Sequence, residues 1–296
     1  MPTFPFMQVD AFTDTAFGGN PCAVVFNADS LSDETMLAIA REMNLSETAF
    51  VIQSKSADFG ARYFTPAEEI PLAGHPTIAT VFALVDSGRL PLGNDLLTIS
   101  LELRVGAIPV DIHSSQGVVR HIVMSQKKPL FMAPYEPPEV FPVFGLTVND
   151  ALPGSEPQTV STGTPQLMVP LRSLDALRRV RVNLKAYGEL KAHADFFSAH
   201  LFCLEGVTGS GQTFARHFGL PPDLLEDPFT GSATGGMGAY LWRYGLLGKP
   251  VFVAQQGHWM NRPGCATVEV VGDREHIETV KVGGCAVTII HGELTL

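Results

Sequence analysis

An internal repeat constrains the fold of this chain more than any other feature of its sequence. Residues 72–77 resemble residues 229–234 at an offset of 157 positions, and the same offset pairs Gly88 with Gly245. Two upstream matches keep the same order, namely residues 19–21 with 163–165 and residues 61–64 with 215–218. Matches that occur in the same order in both halves, with offsets that change only gradually along the chain, are typical of a duplicated unit. The sequence therefore predicts an α+β fold of two pseudo-symmetric domains, each a strand-rich, barrel-like layer around one central helix.

Hydrophobic periodicity predicts short strands and two clearly bounded helices in the first half of the chain. The predicted strands lie at residues 7–12, 22–26, 49–52, 60–64, 96–103, 108–113 and 118–124. One helix is predicted from Ser32 to Met43, with acidic residues in its first turn. A second helix is predicted with Pro76 as its first residue and Gly88 as its terminator.

A proline-rich segment separates the two halves. Five prolines fall between residues 127 and 142, and this density predicts a linker without regular structure. We therefore expect an N-terminal domain over residues 1–125 and a C-terminal domain over residues 126–284. The strand predicted at about residues 285–296 is expected to join the first domain.

Composition and charge exclude several classes of protein. Of the 296 residues, 45% are apolar and 17% are charged, which does not fit a disordered chain. The formal net charge of −10 disfavours nucleic acid and anionic membranes as partners, because both bind Lys/Arg patches. The sequence has no run of about 18 apolar residues that would predict a membrane span. No signal peptide is predicted at residues 1–6, so we expect a cytoplasmic protein.

The spacing of the cysteines and histidines predicts neither a metal site nor a disulfide framework. The four cysteines are Cys22, Cys203, Cys265 and Cys285, and no two of them form a C-x-x-C pair. The nine histidines have no spacing typical of metal ligands. We therefore expect four free thiols and no metal.

The two helix openings of the repeat favour a site for an anion. A helix N-terminus presents unpaired backbone N–H groups and about half a positive charge. Gly74 and Gly231, which precede the two helices, would let a ligand approach the backbone. Two related domains that bring such termini to a shared cleft would suit a small carboxylic acid. Alternatively, both glycines are ordinary turn residues.

Titratable and hydroxyl side chains accompany both openings. His75 follows Gly74, and Glu47 lies upstream in the segment 44–50. Asp227 and Ser232 flank Gly231 in the segment 226–235, where a proline after the acid predicts a rigid loop. Each also has a simpler interpretation: a loop acid for Glu47 and Asp227, and a helix N-cap for His75 and Ser232.

Several short motifs together resemble those of the PhzF family, the phenazine-biosynthesis-like isomerases. The motifs are Gly-Gly-Asn-Pro at 18–21, Asn-Leu-Ser-Glu-Thr at 44–48, Phe-Thr-Pro at 64–66, Gly-His-Pro-Thr at 74–77, Glu-Asp-Pro-Phe-Thr-Gly-Ser-Ala at 226–233, Gln-Gly at 256–257 and Arg-Pro-Gly at 262–264. They keep the family's order from residue 7 to about residue 270. The resemblance implies the diaminopimelate-epimerase-like fold, a site in the cleft between two domains, and a homodimer.

The resemblance also implies roles for particular residues. Glu47 matches the family's general acid/base, and His75, Asp227 and Ser232 match its supporting polar residues. Gly74 and Gly231 match glycines whose backbone helps to bind the substrate carboxylate. The reaction implied is isomerisation of a small cyclic or unsaturated carboxylic acid, like that of trans-2,3-dihydro-3-hydroxyanthranilate, without a metal or an organic cofactor.

Two other functions stay open at this point. An amino-acid racemase or epimerase of this fold would use one cysteine at each helix opening, whereas this chain has His75 and Ser232 there. The alternative mechanism is a one-base transfer through Glu47. A non-catalytic binding protein on the same fold would not need all four polar residues of the motifs. Motif identity does not fix the substrate of any of these functions.

Overall fold

A computed structural model describes residues 1–93 and 95–296 of the chain. The elements of the first half are β1 (Thr3–Ala11), β2 (Asn20–Val25), α1 (Asp33–Met43), β3 (Glu47–Ile52), β4 (Phe59–Phe64), β5 (Glu69–Ile70), α2 (Gly74–Asp86), β6 (Leu96–Leu103), β7 (Gly106–Ser115) and β8 (Val118–Ser125). Those of the second half are β9 (Leu130–Pro134), α3 (Pro137–Val140), β10 (Gln158–Ser161), β11 (Pro165–Pro170), α4 (Leu174–Arg179), α5 (Leu184–Ala192), β12 (Ser198–Cys203), β13 (Thr213–Phe218), β14 (Glu226–Asp227), α6 (Gly231–Arg243), β15 (Val251–Gln256), β16 (Gly264–Gly272), β17 (Ile277–Gly284) and β18 (Ala286–Thr295).

The strand pairing of the first half recurs in the second. β2 and β3 are parallel, β3 and β4 antiparallel, and β4 contacts both the short β5 and the parallel β6, which continues antiparallel into β7 and β8. The same pattern links β11, β12, β13, β14, β15, β16 and β17. The predicted α+β fold of two pseudo-symmetric halves is confirmed.

Two strand pairs, β8–β17 and β1–β18, tie the halves together. β8 pairs antiparallel with β17, its counterpart in the other half. β18 returns to the first half and pairs with β1 along nine residues, while β9 pairs with β10 at the equivalent edge of the second half. The domain ranges 1–125 and 126–284 stay a prediction, because the structure joins the two halves through a continuous ladder of strands.

The central helices α2 and α6 are surrounded by these strands. Ten of the 13 residues of α2 and 11 of the 13 residues of α6 are buried. Small residues allow this packing on α6: a Cβ on Gly235 would lie 1.9 Å from Gln126 Oε1, and one on Gly238 would lie 2.8 Å from the side chain of Val268. Both helices end before a glycine with positive φ, at Gly88 and Gly245, as the repeat predicts.

The prediction that the proline-rich segment lacks regular structure is wrong. Residues 130–134 form β9, which pairs with β10, and residues 137–140 form α3. Pro134 ends its strand, and Pro137 and Pro138 occupy the first turn of α3, where the missing N–H has no partner in any helix. The start of α2 was also predicted two residues late, since the helix begins at Gly74 and Pro76 lies within its first turn.

The helix predicted from Ser32 to Met43 is present as α1, and Ser32 is its N-cap, because its hydroxyl accepts a hydrogen bond from the backbone N–H of Thr35. In the described part of the chain, no helix has both the length and the apolar character that a membrane span requires.

Candidate active site

The two central helices meet at their N-termini. A Cβ atom on Gly74 would lie 2.5 Å from the Cα of Gly231 and 2.7 Å from the backbone nitrogen of Ser232. A Cβ on Gly231 would lie 3.0 Å from the Cα of Gly74 and 2.7 Å from the ring of Phe12. Only glycine at both positions allows the two backbones this contact. The predicted convergence of the two helix openings is therefore present, with helix packing as the physical reason for the glycines.

Neither opening is capped in the usual way. Helices α1, α4 and α5 are capped by the side chains of Ser32, Ser173 and Asn183. Within the described residues, α2 and α6 have neither a side-chain cap nor an acidic residue in the first turn. Their first N–H groups are therefore left without an intrahelical or capping partner, which makes the junction attractive to an anion.

Glu47 is the first residue of β3 and lies on the wall of a cavity between the halves. Its side chain is 16% exposed, and its Oε2 lies 3.2 Å from Nε2 of His75. These two atoms are buried and, among the described residues, neither has an aligned hydrogen bond. Burial raises the pKa of Glu47 well above 4.5, and the charges of Asp227 and Asp223 add to this effect. Glu47 is thus a carboxyl group of raised pKa with an uncommitted oxygen.

Asp227 lines the same cavity but is held on both sides. Its Oδ1 accepts hydrogen bonds from Ser46 Oγ at 2.5 Å and Asn20 Nδ2 at 2.7 Å, and its Oδ2 accepts one from Thr230 Oγ1. Burial raises the pKa of Asp227, while these three hydrogen bonds oppose the rise. The carboxyl is fixed in position, and its oxygens are already engaged.

Asn20 connects the two halves and fixes the tautomer of His75. Its Nδ2 lies 2.7 Å from Asp227 Oδ1, 2.8 Å from the carbonyl oxygen of Phe229, and 3.0 Å from Nδ1 of His75. The amide group has two hydrogens, which these three acceptors share, and because an amide nitrogen only donates, Nδ1 of His75 carries no hydrogen toward it. Burial lowers the pKa of His75 to about 3, so the ring is neutral and carries its hydrogen on Nε2, which faces Glu47.

The predicted residues come together around this cavity. Glu47, Asp227 and Ser232 line it, and His75 adjoins it through Glu47. Gly74 and Gly231 form the helix junction beneath Ser232. The residues of the site therefore belong to four elements, namely β3, α2, β14 and α6.

Several neighbours of the site were missed as individual residues, although three of them lie within motifs of the sequence. Asn20, Ser46 and Thr230 are the residues that hold Asp227 and His75. The sequence feature that could have identified these three residues is their position next to a glycine or an acidic residue within those motifs. Ser198 and Asp223, which also line the cavity, lie outside every motif and gave no sequence signal.

Arg262 braces the loop that carries Asn20. Its guanidinium donates to the carbonyl oxygens of Gly18 and Gly19 and to Oδ1 of Asp10, at 2.7–3.0 Å. Gly19 has φ +51°, and a Cβ there would lie 2.0 Å from the carbonyl oxygen of Ala11. The loop of the first half is therefore held by an arginine of the second half, which explains why both segments belong to one set of motifs.

The fold and the cleft define the class of the protein. Duplicated strand-rich halves, each around a central helix, with polar groups where the two helices meet, form the diaminopimelate-epimerase-like fold. The crystal structure of a Bacillus anthracis phenazine biosynthesis protein of the PhzF family is 32% identical and covers 100% of both chains at a TM-score of 0.86.

Sequence comparison then gives the family. The model of the phenazine biosynthesis-like protein family matches residues 9–292. The uncharacterized isomerase YfhB of Bacillus subtilis is 34% identical over 284 residues, 95% of each chain. Trans-2,3-dihydro-3-hydroxyanthranilate isomerase of Pseudomonas fluorescens is 32% identical over 298 residues, 98% of this chain and 99% of the relative. The chain belongs to the PhzF family and is an isomerase of that family.

Proposed function

We propose that this isomerase moves a proton between two carbon atoms of a small cyclic or unsaturated carboxylic acid, with Glu47 as the general acid/base and without a metal or an organic cofactor. The relative from Pseudomonas fluorescens named trans-2,3-dihydro-3-hydroxyanthranilate isomerase supports this choice of substrate class. The same acid is the first substrate to test.

The contrast between the two carboxyl groups of the cavity carries the proposal. Asp227 has three hydrogen bonds from side chains, whereas Oε2 of Glu47 has none that is aligned among the described residues. A general base must have a free lone pair and a pKa near the working pH. Two carboxyl groups in such unlike surroundings are suited to unlike roles. Glu47 therefore transfers the proton, and Asp227 keeps Ser46, Asn20 and Thr230 in place.

The transfer needs no other reactant. Glu47, as a carboxylate, takes a proton from an sp³ carbon of the substrate, and the C–H electron pair enters the unsaturated system. The double bond shifts, and the protonated Glu47 returns the proton to a different carbon. Charge that develops on the substrate carboxylate is stabilised by the N–H groups at Gly74 and Gly231. Nε2–H of His75 stabilises the ionised Glu47 before the first half-step and after the second.

The symmetry of the fold favours one base over two. Glu47 begins β3, and the equivalent first residue of β12 is Ser198. A serine hydroxyl at this place has no ionised form near neutral pH that could act as the second base. The helix openings hold His75 and Ser232 where a thiol pair would be needed. The proton accordingly leaves and returns on the Glu47 side, which disfavours the racemase alternative.

Substitution of Glu47 by glutamine tests the proposal. The amide has nearly the same volume, so E47Q is expected to fold and to bind a substrate analogue. Turnover of trans-2,3-dihydro-3-hydroxyanthranilate should fall by at least about 10²–10⁴-fold, because general acid–base groups commonly contribute that much. In D₂O, proton NMR of the wild-type reaction should detect deuterium at the newly protonated carbon.

Two controls make this test specific. Glu34→Gln changes an exposed acid of α1 far from the cavity and should leave turnover unchanged. His75→Gln should reduce turnover less than E47Q. A fully active E47Q protein would falsify the mechanism and leave Asp227 as the next candidate acid.

A further inference from the structure

The strand β13 separates the catalytic cavity from a second pocket of different chemistry. His217 lines the cavity that holds Glu47, and its neighbour Arg216 lines an open pocket of about 440 Å³. Successive side chains of a strand point to opposite faces of the sheet, so the second pocket lies behind the cavity. We call it the arginine pocket, and the other residues that line it are Arg178, Arg181, His258, Trp259 and Asn261.

Contacts on two sides hold the arginine pocket in shape. Nε and Nη2 of Arg216 each donate to the carboxylate of Glu226 at 2.7 Å, and Nη1 donates to a carbonyl oxygen of α4 at 3.2 Å. The Cζ of Arg178 lies 4.8 Å from the centroid of the Trp259 ring, which packs edge to face on Phe214 at 4.5 Å between centroids. The pocket is thus formed before any ligand binds, and a ligand need not order it.

Two positive charges of the arginine pocket are not balanced by the protein. Glu226 balances the charge of Arg216. Within the described part of the chain, neither Arg178 nor Arg181 forms an ion pair, whereas two nearby carboxylates pair with Arg179. Arg181 donates from Nη1 to the carbonyl oxygen of Arg178 at 3.3 Å, which keeps the two residues close together. In a protein with a net charge of −10, two adjacent unbalanced cations favour a bound anion.

The number of charges favours a phosphate group over a single carboxylate. A phosphate monoester carries about two negative charges near neutral pH, which matches Arg178 and Arg181, whereas a carboxylate would balance only one of them. The planar guanidinium group also fits two phosphate oxygens at once. A pocket of about 440 Å³ has room for the organic part of a small phosphate ester.

We propose that the arginine pocket binds the phosphate group of a small phosphate monoester, at a site on the opposite side of β13 from the catalytic cavity. The acid proposed as substrate has no phosphate group. The ligand of the arginine pocket is therefore a second compound, and the site goes beyond the proposed isomerase reaction.

The fluorescence of one tryptophan tests the proposal. Trp242 and Trp259 are the two tryptophans of the chain, so W242F leaves Trp259 as the only indole and as a reporter of the pocket. Titration at constant ionic strength compares glycerol 3-phosphate with glycerol. Saturable binding is expected for the phosphate ester alone. In the W242F background, R178Q and R181Q should each weaken this binding by about tenfold or more, because each removes a charged hydrogen-bond donor.

A control of equal charge and a second measurement complete the test. R120Q, also in the W242F background, removes an exposed arginine of β8 in the first half and should bind glycerol 3-phosphate as tightly as W242F does. If R178Q and R181Q bind as tightly as R120Q, phosphate binds elsewhere and the proposal is overturned. Isothermal titration calorimetry repeats the comparison with the wild-type protein. The proposal is also overturned if that protein binds glycerol 3-phosphate no more tightly than glycerol. Circular dichroism checks that each variant keeps its fold.

Discussion

At the scale of single residues, the cleft places two carboxyl groups in different surroundings. Glu47 and Asp227 are both carboxyl groups of one cavity, and burial raises the pKa of each. Three hydrogen bonds restrain Asp227, whereas Glu47 has a free oxygen beside a neutral His75. The neutral state of His75 follows from burial, which also lowers the pKa of His217 to about 3.

These pKa shifts predict opposite effects of pH on stability. The pKa of His217 is lower in the folded protein, so its contribution is present above about pH 6.5 and is lost as the pH falls toward 3. The pKa of Glu47 is higher in the folded protein, so its contribution is present below about pH 4.5 and is lost as the pH rises. Within the window of about pH 4.5 to 6.5, the two groups therefore oppose each other.

Urea denaturation at several pH values checks this prediction through two variants. H217Q should flatten the rise of the free energy of unfolding with pH, and E47Q should steepen it, each by about 1.4 kcal/mol per pH unit. Substitution of Val118, an exposed residue without a titratable group, by threonine should leave the slope unchanged. The prediction would be refuted if both variants changed the slope of the free energy of unfolding against pH in the same direction.

At the scale of elements, the junction of α2 and α6 is the feature on which the cleft depends. The helices approach so closely that neither Gly74 nor Gly231 has room for a methyl group. Both lack the side-chain caps that α1, α4 and α5 have, in the described residues. The same junction thus explains both the glycines and the exposed N–H groups.

Alanine substitutions at two helical glycines are expected to change the free energy of unfolding in opposite directions. G74A should lower the free energy of unfolding by several kcal/mol, or abolish folding, because backbone atoms of α6 cannot give way. G188A in α5 has no atom within 4 Å of the new methyl group and should stabilise the protein by about 0.5–1 kcal/mol. Thermal unfolding followed by circular dichroism measures both. Equal effects would argue against the contact at the junction.

At the scale of the whole molecule, the first half is completed by a strand from the far end of the chain. β18 follows the second half but pairs with β1, and β8 and β17 join the halves edge to edge. This exchange predicts that the halves do not fold as separate fragments, although the ranges 1–125 and 126–284 describe the duplicated units. The homodimer implied by the family resemblance stays a proposal, and sedimentation velocity of the full chain tests it.

Removal of residues 286–296 tests the exchange of strands. The deletion removes the β18 partner from nine residues of β1, which then pairs with β2 alone, and should prevent folding or lower the midpoint of thermal unfolding by at least about 10 °C. Deletion of Leu296 alone, which lies beyond β18, is the control and should change the midpoint by less than about 2 °C. A truncated chain as stable as the full one would show that β18 is dispensable.

The sequence by itself determined the features that depend on local or repeated patterns. Glycine and proline mark helix ends, and alternation marks strands, so the duplication and the two helix openings could be predicted. Glu47, His75, Asp227 and Ser232 were candidates because they accompany these openings, and their roles come from the family resemblance and stay a proposal. The density of prolines at residues 127–142 led to the wrong prediction of a segment without regular structure, because proline is tolerated at a strand end and in the first turn of a helix.

Only the tertiary structure decided which of these residues meet and what state they are in. Asn20 and Asp227 are 207 positions apart, yet one hydrogen bond joins them, and Asp223 reaches the cavity through a connection that no motif marks. The pKa of Glu47 likewise depends on burial and on acids from the other half of the chain. Such properties arise from distances in space, and the local pattern of a sequence does not contain them, because hydrogen bonds and electric fields act between atoms wherever the chain has placed them.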